Sequence, residues 1–405
     1  MRTLIYGDRL RQARVLRKIK STDLAASAST TGSTLTRWEQ ADTVTVESHT
    51  LDDIGEALGF PVTFFQQPPS PPVDERDLRF RAPKSTLKRE KEHLIQFARM
   101  AEEVLRWVDE KQQLPPVTLP RLTPDHDVVD ATRQTRTALG VAADKPIPLL
   151  TLAVERTGVP VIRRPTRADA DPATNIEKHL GYTAWAGEFW QRPIIITRGV
   201  PSWERTRWTI AHEVGHTVLH RSAVIAERES AEAVANSFAN ELLAPIDAVR
   251  PELPKMITLL ALTDAKARWG LSIGALIKHL HTSRVIDDRR KDTLQAQLYT
   301  RHNPETGTTF GKYEPGWKDR TPELPGMLRY WLERTVRTSH PKAVAALTGM
   351  WPADLLGQLL DEQALPGIQP AVPPSGPATS RDPRVVSLGA RRNARMHLRS
   401  DGMEA

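Results

Sequence analysis

Trp208-Thr209-Ile210-Ala211-His212-Glu213-Val214-Gly215-His216-Thr217-Val218-Leu219-His220 is the stretch that decides how this chain is read. The residues on either side of His212–His216 contain no Gly or Pro, so a helix can run through the centre. Ile210, Val214, Val218 and Leu219 recur at helical spacing and would bury that helix in a core. His212 and His216, four residues apart, then share one face with their Cβ atoms roughly 6 Å apart. Two imidazole nitrogens at that spacing can share one zinc ion, and Glu213 can point at a water in an open position. The chemistry implied is metal-assisted hydrolysis.

Two histidines need a third protein ligand. The chain has no Cys, which excludes a thiolate, and the position six residues after His216 is Ser222. His220 lies one turn further along, but three ligands on one straight helix cannot converge on one ion. It reads as a packed or surface histidine near the helix end. A carboxylate from the next helix is the expected donor. That helix reads Arg228-Glu229-Ser230-Ala231-Glu232-Ala233-Val234-Ala235-Asn236-Ser237-Phe238-Ala239-Asn240-Glu241-Leu242-Leu243-Ala244-Pro245. Glu232, Asn236 and Ala239 share one face, Val234, Phe238 and Leu242 form an apolar one, and Pro245 closes the segment.

These two helices resemble the signature of the ImmA/IrrE zinc metallopeptidases, H-E-x-G-H followed by E-x-x-A-N-x-F-A-x-x-L-L-x-P. Glu232, Ala235, Asn236, Phe238, Ala239, Leu242, Leu243 and Pro245 stand in the places of the second motif. The resemblance implies a zincin-like domain with one zinc held by His212, His216 and Glu232, and with Glu213 as general base. Glu229, about one turn before Glu232, is the fallback ligand. Asn236, one turn after it, is a candidate to orient a ligand. Residues 180–186 and 192–197 read as two strands before the metal helix, and 159–162 as an earlier one. In such peptidases a strand near the metal helix accepts the substrate backbone by edge pairing. The sequence leaves open which strand that is.

The N-terminal region carries a second signal. Residues 9–17 form a basic amphipathic helix with Leu10, Ala13 and Leu16 inward, and Ser21 or Thr22 can cap a short helix containing Leu24 and Ala25. A helix over 33–40 carries Leu35 and Trp38, a fourth carries Leu51, Ile54 and Leu58, and residues 60–65 form a last turn. This order resembles a Cro/repressor-type (Xre) helix-turn-helix, with Leu24-Ala25 as its characteristic pair and Glu39 near the end of the recognition helix. Ser21 stands where that pattern has Gln, and Gln40-Ala41 near where it has Gly. The resemblance implies contact with double-stranded DNA through Thr31, Ser33, Thr34 and Arg37 at the start of the recognition helix. Residues 1–40 hold eight Lys/Arg against three Asp/Glu, the sign expected for phosphate contact.

The expected fold class is mainly α with a small β-sheet (α+β). Residues 1–67 are the helix-turn-helix bundle and 68–114 a linker, with Pro68-Pro69-Ser70-Pro71-Pro72 followed by a coupling helix over about 86–113. Within that linker Leu78-Arg79-Phe80-Arg81 resembles the F-R segment that joins the two modules in fused family members. Residues 115–300 are the metallopeptidase domain, including helical runs after Pro245. Residues 301–364 are a helical C-terminal region whose first part, 301–325, reads as loop and whose helices fall near 327–335 and 353–360. His279 and His281 read as a polar helix face. Residues 365–405, rich in Pro and then carrying six Arg between Arg381 and Arg399, form a disordered tail.

The formal charge of +7 and pI near 9.6 favour anionic partners. There is no apolar signal core at the N-terminus and no run of 18 apolar residues, so neither export nor a membrane partner is expected. The expectation is a cytoplasmic prokaryotic regulator. Its zinc endopeptidase would cut a protein substrate, a transcriptional repressor or the chain itself. The competing expectation is a DNA-binding factor, or an antitoxin-like partner, whose metal domain senses a ligand or gives structure without proteolysis. A homodimer is left open.

Overall fold

Leu10, Ala13 and Leu16 on α1 (Gly7–Leu16) close over Leu24 and Ala25 on α2 (Ser21–Ser27) and Leu35 on α3 (Gly32–Gln40). A computed structural model describes residues 1–71, 79–80, 88–165, 181–186, 192–220, 228–304 and 306–361. α4 (Ser48–Leu58) and α5 (Val62–Gln66) complete the five expected N-terminal helices. Two strands join them that the sequence reading lacked: β1 (Arg2–Tyr6) pairs antiparallel with β2 (Thr43–Glu47), Leu4 opposite Thr45. The ribbon turns into α1 at Gly7, where a Cβ would lie 2.0 Å from the Trp38 carbonyl oxygen and 2.3 Å from that of Ala41. Only a glycine lets α1 start against the end of α3. Arg14 then clamps α1 to α3 by donating from Nε and Nη2 to both Glu39 oxygens, at 2.5 and 2.8 Å. The expected cap of α2 is corrected: Lys20 holds the cap position without a side-chain bond, and Ser21 is already helical. The chain leaves α1 through Lys18 at φ 57°.

The long helix α6 (Lys88–Lys111) buries Leu94, Phe97, Ala101, Val104, Leu105 and Val108, as its spacing predicts. It packs against α1 through buried polar groups as well as apolar ones. Arg9 Nη1 meets Glu103 Oε2 at 2.7 Å, and Ser70 Oγ donates to Glu103 Oε1 at 2.5 Å. Arg99 Nε donates to Ser70 Oγ at 2.9 Å. The start of the Pro-rich segment is thereby pinned between α1 and α6; its remainder, from Pro72, lies outside the described residues, as do Leu78 and Arg81.

Beyond α7 (Val128–Ala138) and α8 (Leu150–Arg156), neither foreseen, comes a sheet in the order β3-β5-β6-β4. β3 is Arg79–Phe80, β4 Val161–Arg164, β5 Gly181–Ala186 and β6 Arg192–Arg198. β4 runs parallel to β6, while β5 is antiparallel to both β6 and β3. Because side chains alternate along a strand, the sheet feeds two cores. Ile162 and Ile196 join α6 and the N-terminal bundle, whereas Val161 and Ile195 face the helices that follow the sheet.

That second core is built on α9 (Trp203–Leu219), α10 (Arg228–Leu243), α11 (Ile246–Val249), α12 (Leu259–Trp269), α13 (Ile273–Thr282) and α14 (Asp288–Thr300). Residues 301–325 are irregular, as expected, yet two of their carboxylates brace these helices. Glu314 accepts from Lys266 at 3.0 Å and from the Ile273 N–H at 2.8 Å, and Glu323 pairs with Arg207 on α9. Lys266 also reaches Glu204 on α9 at 2.8 Å.

The C-terminal helices α15 (Met327–Val336), α16 (Pro341–Thr348) and α17 (Ala353–Leu359) return to the first core, with Trp351 edge-on to Phe64 at 5.0 Å. Elements from residues 1–67, 88–111 and 327–360 thus share one core. The architecture is mainly helical with small sheets, the α+β class expected. Among the described residues no helix is long and apolar enough to cross a membrane. The tail expected from 365 lies outside the described residues.

Candidate metal centre

α9 starts at Ser202, whose side chain accepts from the Arg205 N–H at 3.1 Å, and continues unbroken through both histidines. His212 and His216 are 2 % and 3 % exposed, so water does not compete for their inner nitrogens. Their Nε2 atoms approach to 3.1 Å. α10 adds Glu232, with Oε2 3.4 Å from His212 Nε2 and Oε1 3.4 Å from His216 Nε2. Among the described residues, this is the group of His, Asp and Glu side chains whose ligand atoms converge, all within 4.8 Å.

The donor set fits zinc. Bonds of about 2.0–2.2 Å at tetrahedral angles hold ligand atoms roughly 3.3–3.6 Å apart. Here the two Nε2 atoms are 3.1 Å apart and each lies 3.4 Å from its own oxygen of Glu232, Oε2 for His212 and Oε1 for His216, so the three side chains come close to that spacing. Two imidazoles and one carboxylate also leave a fourth tetrahedral position for water. Burial pushes the Glu232 carboxyl upward, but the hydrogen bonding and charge of His212 and His216 outweigh it and hold the group well below the usual carboxylate range. The carboxylate is thus ionised at neutral pH, the form a cation needs.

Close approach of α9 and α10 depends on Gly215. A Cβ there would lie 3.0 Å from Phe238 Cδ1 and 3.2 Å from Cγ. Gly181 has the same role on the other side of α9: a Cβ would meet Thr209 Cγ2 at 2.6 Å and Glu213 Oε1 at 3.1 Å. β5 therefore lies directly on α9. From it Thr183 donates its hydroxyl to Glu213 Oε2 at 2.9 Å, fixing the carboxylate one residue away from His212. Of the strands left open by the sequence, β5 touches Glu213, through Gly181 and Thr183.

The remaining expected residues separate clearly. His220 is buried, at the end of α9, with its Nδ1 3.1 Å from His216 Nδ1. It is packed, as expected, but it touches a ligand, which sequence spacing alone did not show. Asn236, one turn after Glu232 on α10, has its Oδ1 buried with no hydrogen-bond partner among the described residues. Trp208, not singled out from sequence, stacks on His212 with ring centroids 5.2 Å apart and donates Nε1–H to Asn240 Oδ1 at 2.9 Å. The side chain of Glu229 lies outside the described residues. His279 meets the Ala244 carbonyl at 3.0 Å and His281 meets Asp288, so both belong to packing and surface.

On α3, Thr31 caps the helix by accepting from the Thr34 N–H at 3.2 Å. Its hydroxyl also donates to Thr34 Oγ1 at 2.9 Å and lies 2.9 Å from Ser33 Oγ. Thr31, Ser33 and Arg37 are exposed and Thr34 is partly so. They form one polar surface at the start of α3, in a different part of the fold from the α9–α10 cluster.

Residues 154–281 match the family model described as the IrrE N-terminal-like domain, a peptidase family. The matched span runs from α8 to α13 and contains His212, Glu213, His216 and Glu232. No curated protein matches the chain.

Proposed function

We propose that the chain is a zinc-dependent endopeptidase that hydrolyses a peptide bond in a regulatory protein and carries a DNA-binding bundle at its N-terminus. The observation that carries this reading is the triangle of His212, His216 and Glu232, beside a buried Glu213 held by Thr183. His212, His216 and Glu232 would hold zinc there, which would supply Lewis acidity for the hydrolysis. Glu213 takes the proton of the attacking water and returns it to the leaving amine nitrogen. Thr183 keeps the Glu213 carboxylate on the β5 side, and the buried flank of α9 keeps bulk water away from both imidazoles. The decisive comparison is proteomic, between cells carrying the intact protein and its Glu213→Gln form. A repressor, or the chain itself, cut only in the first is the expected result; identical proteomes overturn the peptidase reading.

The α2–turn–α3 surface supports the DNA half. Thr31, Ser33, Thr34 and Arg37 are presented together at a helix start, the geometry that enters a major groove. Site-specific affinity should fall steeply with salt and drop on Arg37→Ala. A mobility shift indifferent to that substitution and to salt speaks against it. A cytoplasmic location follows from this reading.

One observation favours the alternative of a metal domain that senses without cutting. Both edges of β5 are paired, with β6 on one side and residues 79–80 on the other. A peptide adding to that edge has to displace Arg79–Phe80. Promoter control unchanged by Glu213→Gln supports this alternative; control lost with that substitution supports the peptidase.

A further inference from the structure

We propose that His220 is a positioning residue for the metal ligand His216, acting by fixing which ring nitrogen of His216 carries the proton. The proposal rests on the zinc reading above. α9 stacks three imidazoles at successive turns, with ring centroids 4.7 Å apart from His212 to His216 and 5.1 Å from His216 to His220. His216 uses its two nitrogens in different directions. Nε2 faces His212 Nε2 at 3.1 Å and Glu232 Oε1 at 3.4 Å, whereas Nδ1 faces His220 Nδ1 at 3.1 Å. His220 thus sits behind the ligand, on the side away from the cluster.

Two nitrogens at 3.1 Å share one proton, so one donates and the other accepts. A neutral imidazole carries a proton on one nitrogen and a lone pair on the other. If His220 donated, His216 would accept at Nδ1 and carry its own proton on Nε2, which blocks the face turned to Glu232. If His216 donates from Nδ1, its Nε2 lone pair is free for a cation. Binding of zinc therefore selects the second arrangement, with His220 accepting at Nδ1 and carrying its proton on Nε2. An acceptor behind a ligating imidazole fixes ring orientation and raises ligand basicity.

His220 is well placed to hold that role. Its side chain belongs to a residue 1 % exposed, so water does not readily replace the acceptor. Its backbone N–H bonds the His216 carbonyl at 3.0 Å, tying the acceptor to the same turn of α9 as the ligand it serves. His212 is held differently. Its Nδ1 is buried with no hydrogen-bond partner among the described residues, and its ring is instead stacked on Trp208 at an interplanar angle of 30°. One ligand is oriented by stacking and the other by a hydrogen bond.

The test uses the full-length chain and two substitutions. His220→Phe keeps a planar ring but removes the acceptor; His220→Asn puts an amide oxygen close to the place of Nδ1. Zinc affinity is measured by chelator competition, alongside thermal melting of the metal-free proteins. His220→Phe should weaken zinc about 10- to 100-fold, and His220→Asn should recover most of that loss while the metal-free melts stay alike. Equal zinc affinity in His220→Phe and the unsubstituted chain, or equal weakening in both variants, overturns the proposal. Should His220→Phe fail to fold, 15N-histidine NMR of the unsubstituted, zinc-loaded protein decides. His220 protonated on Nε2 supports the proposal, and protonated on Nδ1 refutes it. An unsubstituted chain that binds no zinc instead removes the peptidase reading, a distinct result.

Discussion

Gly215 on α9 faces the ring of Phe238 on α10, where a Cβ would lie 3.0 Å from Cδ1 and the ring would have to give by a few tenths of an ångström. This contact sets how near the helix bearing two histidines comes to the helix bearing Glu232. Gly215→Ala gains about 1 kcal/mol of helix propensity, but overpacking a buried site costs about 1–3 kcal/mol. The expected outcome is a lower melting temperature together with weaker zinc binding, because relief of the clash moves Glu232 away. A variant that is more stable and binds zinc fully would show that the spacing does not depend on Gly215.

His216→Ala and Glu232→Ala should each lower zinc affinity by at least about 100-fold, since losing a ligand costs more than losing a supporting contact. Metal analysis of the purified chains checks this, with about one zinc expected in the unsubstituted protein. Stoichiometric zinc retained in either variant would remove that residue from the site.

Glu213→Gln should keep zinc and lower peptide hydrolysis by about 10²- to 10⁴-fold, the range for loss of a general base. Thr183→Val, which deletes only the hydroxyl bond to Glu213, should lower turnover by less and leave zinc binding unchanged. Steady-state kinetics on the substrate found by proteomics, paired with metal content, separate the two effects.

Glu155 makes stability depend on pH. Burial pushes its carboxyl up to about 8, against the pull of the backbone N–H groups of Met327, Gly326 and Val161. The folded protein thus binds a proton that the unfolded chain releases near its ordinary value of 4.5. Its contribution to stability is complete below that value and is lost as pH rises toward about 8. Melting temperature followed from pH 5 to 8 should fall on this account, and Glu155→Gln should flatten the slope. An unchanged slope in that variant would assign the pH dependence elsewhere.

Much of the centre is legible in the chain because helical spacing is a strong constraint. His212, Glu213 and His216 follow from the four-residue interval alone, whereas Glu232 comes into view only through the resemblance of the second helix. His220 shows the limit: periodicity places it one turn beyond His216, but which nitrogens meet depends on rotamers. α7 was hidden because its buried face includes Thr132, Thr135 and Arg136 beside Ala131, so apolar periodicity is faint. α14 buries only Leu294 and Leu298. β1 and β2 stabilise one another across more than 35 residues of chain, which local pattern does not report. Glu323, in an irregular segment, has its partner Arg207 116 residues away. Interactions that are distant in sequence and polar leave little trace in composition.

The buried contacts of Arg9 and Ser70 with Glu103 carry a practical consequence. A fragment beginning after residue 67 would take Arg9 away from Glu103, leaving it Ser70 and Arg99, and would lay bare one side of α6. Replacing the N-terminal bundle would therefore demand a substitute that brings its own arginine to meet Glu103. In this chain the N-terminal module is welded to its neighbour instead of being plugged into it.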